Sequence, residues 1–346
     1  MQKTGKSKLI LNVSLFAAII GVIIFVVRDS LSDIFLELAD TSLPVLAGVT
    51  LLGFLSLLVE GFTVKNIVAE YNPEFTLCDG FFSSAYMSFY RVITFGTGTI
   101  VSEVLFYHKK DLKFSQGTGV VALRMVVYKV ALSAVAVVFL FLKGNELSQQ
   151  INHGIIYVVI GLVVTLAIVG VLLLFSLSIN AQVLFVIITN RLFKRQKLRD
   201  LIDKVNMQFY SLRDTIQTFF NHKETVIKVF LSTLVKLGVW YTIPYFILSS
   251  ESKDLNLLLI VALISFTVIL GGILPAPGGI GGFEFVYVLL FSSVVGRVEA
   301  VSSLLLYRYA TYLMPFLIGM VYVLINKQRE INLELKENKM KKRVDD

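Results

Sequence analysis

Cysteine is almost missing. Cys78 stands alone among 346 residues, which excludes an internal disulfide and any paired-cysteine metal site. Histidine is nearly as scarce: His108, His153 and His222 are far apart and sit beside the ends of apolar stretches, so no metal-ligand spacing or histidine-based catalytic centre is visible. Charge is thin, with 16% Asp, Glu, Lys and Arg against 56% hydrophobic residues and a mean hydropathy of +0.78, values that exclude an ordinary soluble domain. The glycine-rich stretch 274–284 is followed by no Lys-Ser/Thr pair and has no strand–helix–strand setting, so neither a P-loop nor a dinucleotide fingerprint is present. No catalytic residue, cofactor or metal is assigned.

What remains is an all-α integral membrane protein. Apolar stretches near the roughly 20 residues needed to cross a bilayer occur at 9–27, 43–64, 118–142, 154–179, 226–248 and 300–325, about six full spans. Two more apolar regions, 81–107 and 257–295, are interrupted. No small-residue cleavage site ends the first stretch, which reads as a retained helix rather than a signal peptide.

Lysine and arginine concentrate in cytoplasmic loops, so loop charges give the topology. The N-terminus carries Lys3, Lys6 and Lys8 and starts inside; the acidic connection 28–42 lies outside; the loop with Lys109, Lys110 and Lys113 lies inside. The connection 180–228 holds nine Lys or Arg against four acids and is inside, as is the basic tail 327–346. Both ends of 81–107 then fall on the cytoplasmic face and both ends of 257–295 on the outer face. Each is expected to be a re-entrant broken-helix hairpin. The segment 191–223 mixes apolar and basic residues at helical spacing and reads as an amphipathic helix within a cytoplasmic insert, 180–225, attracted to anionic lipid rather than nucleic acid.

The two hairpins align without a gap, Thr94 to Glu103 against Pro275 to Glu284, each with a glycine five residues before the glutamate, Gly98 and Gly279. Each is followed by Arg-x-x-x-Tyr, Arg124 with Tyr128 and Arg308 with Tyr312, at Glu-to-Arg intervals of 21 and 24 residues. Span, span, hairpin, span thus occurs twice with opposite orientation, the pattern of an inverted-topology repeat. Residues 8–179 hold the first repeat and the first span of the second; 226–326 hold the rest.

Irregular backbone at membrane depth is tolerated only where protein or a water-filled cavity surrounds it. Pro275 and Pro277 lack amide donors, and Gly278, Gly279, Gly281 and Gly282 permit turns that other residues resist. The helix restarting near Gly281 would present free amides to a phosphate or carboxylate. The alternative is a plain surface loop with a solvated glutamate. Glu103 with Arg124 and Glu284 with Arg308 read either as structural bridges or as a substrate site in which each arginine and its tyrosine clamp an anionic head group. Lys236, near Trp240 and Tyr241, is either a further cavity cation or a snorkelling lysine.

With these motifs in view, the chain resembles the transmembrane, flippase-type domain of the lysylphosphatidylglycerol synthase family, the membrane half of the multiple peptide resistance factor. Pro275-Ala-Pro-Gly-Gly-Ile-Gly-Gly-Phe-Glu284 and Leu306-Tyr-Arg-Tyr-Ala-Thr-Tyr312 carry the resemblance, which spans about residues 8 to 327. The first half departs from the family's usual form: Thr94 to Glu103 lacks its proline or glycine pair. The resemblance implies movement of a phospholipid with a modified head group, such as aminoacylated phosphatidylglycerol, between leaflets of the cell membrane, with both termini cytoplasmic. It does not imply the aminoacyl transfer itself. Two other readings stand beside it: a membrane-embedded lipid aminoacyl- or glycosyl-transferase, and a scaffold for a separate lipid-modifying enzyme. Small residues such as Gly161 and Gly170 would suit a homodimer.

Overall fold

A computed structural model describes residues 32–150, 154–192, 196–250, 255–274 and 281–345. The described residues are helical throughout apart from short connections. In order they form α1 (Ser32–Asp40), α2 (Leu43–Val68), α3 (Leu77–Ile93), α4 (Thr99–His108), α5 (Phe114–Gln150), α6 (Gly154–Leu177), α7 (Ile179–Leu192), α8 (Gln196–Asn221) and α9 (Lys223–Ser249). Then follow α10 (Leu257–Gly271), α11 (Gly282–Val295), α12 (Arg297–Arg308), one π turn (Tyr309–Leu313) and α13 (Met314–Asp345). Five helical runs are long and apolar enough to span a membrane: α2, α5, α6, α9 and the continuous α12–π–α13. The expected span 9–27 lies outside the described residues. The chain is a multi-pass all-α membrane protein.

Local chemistry sets the helix starts. Pro44 fits the first turn of α2, where its missing amide costs nothing. Thr76 and Asp79 form a capping box on α3: Asp79 N–H donates to Thr76 Oγ1 at 3.2 Å, and Thr76 N–H donates to Asp79 Oδ2 at 3.0 Å. Asn256 Oδ1 accepts from Leu258 N–H and Leu259 N–H and starts α10.

Both interrupted regions are helix–break–helix hairpins. The first breaks over 94–98, where Phe95 (φ 50°) and Gly96 (φ 85°) take left-handed backbone and Thr94 Oγ1 accepts from Gly98 N–H at 2.9 Å. Gly98 itself has ordinary φ; a side chain there would collide with Thr94. The second hairpin resumes at Gly281, whose φ of 113° demands glycine.

α2 and α9 form the central pair and run antiparallel, since Thr63 bonds Ser232, Glu60 bonds Lys236 and Gly48 faces Phe246. The hairpins pack across the halves: α3 lies on α13, and α10 lies on α5. Close approach is built from glycine: a Cβ on Gly80 would stand 2.1 Å from Gly61 O, and one on Gly319 would stand 2.0 Å from Ala85 O. The insert 180–225 holds α7 and α8, and α8 falls within the amphipathic segment 191–223. α8 buries Ile216 and Phe219 in a cluster with Val120 and Val121 of α5, so it docks on the bundle instead of only lying on lipid.

Candidate functional site

Among the described residues, a cavity of about 340 Å³ lined by both apolar and charged side chains lies between the halves. Arg124 and Tyr128 reach it from α5, Lys236 and Trp240 from α9, Arg308 from α12 and Tyr312 from the π turn. The face of α3 formed by Ser84, Met87, Ser88 and Arg91, at spacings of three and four, supplies another wall. The two arginine–tyrosine pairs, 180 or more residues apart in sequence, therefore share one space.

Three carboxylates hold three of the four cations. Arg124 donates through Nη1 to Glu60 Oε1 at 2.5 Å and through Nη2 to Glu103 Oε2 at 2.7 Å. Lys236 Nζ donates to the other oxygen, Glu60 Oε2, at 2.6 Å. Glu60 thereby ties α2 to both α5 and α9. Glu103, 2% exposed, is completed by Tyr107, whose hydroxyl donates to Oε1 at 2.7 Å. In the second half Arg308 Nη2 lies 2.5 Å from Glu284 Oε1. The expected glutamate–arginine bridges exist in both hairpins.

The two bridges are not equivalent. Glu284 is the third residue of α11, and its Oε2 accepts from Gly281 N–H at 2.6 Å. The anion expected at this helix start is thus its own glutamate, which meets the dipole and one free amide. The Gly281 amide is therefore not open to a ligand. Glu103 sits deeper in its helix and leaves the start of α4 to Thr94. Neither Gly98, Gly281 nor Gly282 lines the cavity, and Pro275, Pro277, Gly278 and Gly279 lie outside the described residues.

Lys236 is 7% exposed and lies over the rings of Trp240 at 4.4 Å and Tyr128 at 5.2 Å, so it faces the cavity and does not snorkel. Arg308 stacks over Phe283 at 4.4 Å and Tyr312 at 5.7 Å. Tyr241 is buried away from the cavity. Glu60 and Arg91 also line the cavity, and neither belongs to the motif that repeats in the two halves. Glu60's partners are 64 and 176 residues away, a separation at which a single sequence carries no pairing signal.

Four cations against three carboxylates leave the cavity with one positive charge. Such a site attracts a monoanion and repels a simple cation, and its aromatic rims offer apolar and hydroxyl contacts. No group of His, Cys, Asp and Glu among the described residues has a metal-binding arrangement. A search of curated proteins returns no match. The family model for the lysylphosphatidylglycerol synthase TM region matches residues 10–319, both hairpins and every cavity-lining residue included, and the chain belongs to that family.

Proposed function

We propose that the chain is a lipid translocase that carries an anionic or head-group-modified phospholipid, of the aminoacylated phosphatidylglycerol kind, between the leaflets of the cell membrane. One observation carries the reading: cations from both halves converge on one shared cavity with one uncompensated positive charge. The volume accepts a head group and is too small for two acyl chains, which stay in lipid while the phosphate crosses. The hairpins are re-entrant, entering from opposite faces, and both termini are cytoplasmic. Access alternates as the halves rock about the α2–α9 contact, which Glu60 spans.

In proteoliposomes with tail-labelled phosphatidylglycerol, a reductant that quenches only the outer leaflet reads translocation. The wild-type chain accelerates exchange over protein-free vesicles, and Arg308→Gln slows it at least about tenfold by cancelling the residual positive charge of the cavity. Wild-type vesicles no faster than empty ones would remove the proposal. Formation of a new aminoacyl lipid from aminoacyl-tRNA by the purified chain would put a transferase in its place.

A further inference from the structure

The cavity cations divide into held and unheld. Arg124, Lys236 and Arg308 each have a carboxylate within 2.7 Å. Arg91 does not: among the described residues its guanidinium has neither an ion-pair partner nor a hydrogen bond. Both oxygens of the nearby Glu60 are taken, by Arg124 and by Lys236. The charged and phenolic groups around Arg91 are Arg124, Tyr312, Glu60 and Tyr128, contributed by α5, the π turn and α2. Arg91 stands in the last turn of α3, just before the break at 94–98, and lines the cavity wall with Ser84, Met87 and Ser88. The C-terminal dipole of α3 favours a cation there. That attraction would be met as well by a side chain turned outward, so it does not explain why this guanidinium faces the cavity beside another arginine.

We infer that Arg91 is the residue that engages the phosphodiester of the lipid head group, with its two terminal nitrogens on two phosphate oxygens. The two held arginines and the held lysine set the shape and residual charge of the cavity, and Arg91 supplies the contact that a substrate can take without first breaking a native ion pair. An incoming phosphate would thus find four or five open donors on Arg91, whereas at Arg124 it would have to displace Glu60 or Glu103. The inference rests on the translocase reading only in taking the cavity as the head-group site.

The test uses the purified full chain in an uncharged detergent, with thermal unfolding read against added dihexanoyl phosphatidylglycerol, dihexanoylglycerol, which lacks the phosphate, or sodium phosphate. A ligand that binds only the folded chain raises its midpoint. For the wild-type chain the phosphatidylglycerol raises the midpoint and dihexanoylglycerol at the same concentration does not. Arg91→Gln requires at least about tenfold more phosphatidylglycerol for the same rise, while its ligand-free midpoint is no lower than the wild type's, because an unpaired cation beside Arg124 has been removed. Arg91→Lys keeps the charge, gives up the two-nitrogen fork and falls between the two. A response to sodium phosphate that also vanishes in Arg91→Gln assigns Arg91 to the bare anion, and a response to the lipid alone assigns it to the head group in its lipid setting. An Arg91→Gln chain that responds at wild-type concentrations, or equal responses to dihexanoylglycerol, would overturn the assignment. Should Arg91→Gln fail to fold, Arg91→Lys decides, and wild-type affinity in that variant overturns it. Transport is scored separately: absent wild-type transport removes the translocase reading alone, and an Arg91-independent midpoint rise removes this assignment alone.

Discussion

Glu60 balances two cations with one carboxylate, and each oxygen has a different partner on a different helix. Removing one member of a buried ion pair strands the other, which costs more than the pair contributes. Glu60→Gln leaves Lys236 without its only carboxylate and Arg124 with Glu103 alone, and we expect a loss of about 3 kcal/mol in stability. Thermal unfolding in detergent checks this, and an unchanged midpoint would show that cavity water already solvates these charges. Adding Lys236→Met to Glu60→Gln removes the stranded cation and restores most of the loss, a non-additivity that marks direct coupling. At this scale the sequence was half legible. The Glu103–Arg124 and Glu284–Arg308 bridges followed from a motif repeated in both halves, since repetition supplies the second copy that a single spacing lacks. Glu60 has no second copy, and nothing in its neighbourhood, Leu58-Val-Glu-Gly-Phe62, names Arg124 or Lys236.

At the scale of the element, glycine sets how closely helices approach. Gly80 on α3 meets Gly61 on α2 so tightly that a methyl group has no room against the Gly61 carbonyl. Gly80→Ala therefore pushes α3 away from α2 and costs about 1–3 kcal/mol. Gly238, exposed on α9 with room for a methyl group, is the control, and Gly238→Ala stabilises its helix by about 0.5–1 kcal/mol. Equal effects of the two changes on the unfolding midpoint would mean that helix propensity, not contact, governs both. The first hairpin is also tied at its open end, where Lys110 Nζ lies 2.6 Å from Asp79 Oδ1. Burial works against the charged carboxylate, but hydrogen bonds from Lys110 and Thr76 outweigh it and hold Asp79 below its usual 3.8. The hydrogen bond to Asp79 holds Lys110 above its usual 10.5. The carboxylate's contribution is therefore complete above pH 3.8 and is lost as the pH falls through the depressed value; the lysine's is complete below pH 10.5 and is lost above it. The difference in midpoint between wild type and Asp79→Asn should be constant from about pH 5 to 9 and close below about 3.8. Its size is less than about 1 kcal/mol, since Lys110 is 40% exposed. A gap that does not narrow as the pH falls below 3.8 would assign it to capping instead. The hairpins themselves were legible because broken apolar runs announce them, whereas the π turn Tyr309–Leu313 lies just before Pro315, whose ring and missing amide disturb the helical bond to residue 311, a signal that does not by itself specify a π turn.

For the whole molecule, the arrangement turns on two helices of 26 and 27 residues, α2 and α9, lying antiparallel with the cavity beside them. Each is about 40 Å long at 1.5 Å per residue, enough to cross the bilayer with some tilt. Loop charge foresaw that opposition, because it accumulates over many residues and survives errors at any one; the cavity, built from single side chains on seven segments, left no comparable trace. The native cysteine makes the orientation measurable. Cys78 is exposed in the first turn of α3, ten residues past the end of α2, and it is the chain's one thiol. If α2 runs inward, a membrane-impermeant maleimide labels Cys78 in inside-out vesicles and not in intact cells. In a Cys78→Ser background, Ser250→Cys sits just past α9, and the same reagent should reach it in intact cells only. Opposite labelling follows directly from two antiparallel spans whose following hairpins open on opposite faces. Labelling of both positions from one side would place both hairpin mouths in one compartment. The cavity cations would then face a single leaflet, where they could bind a head group but could not hand it across.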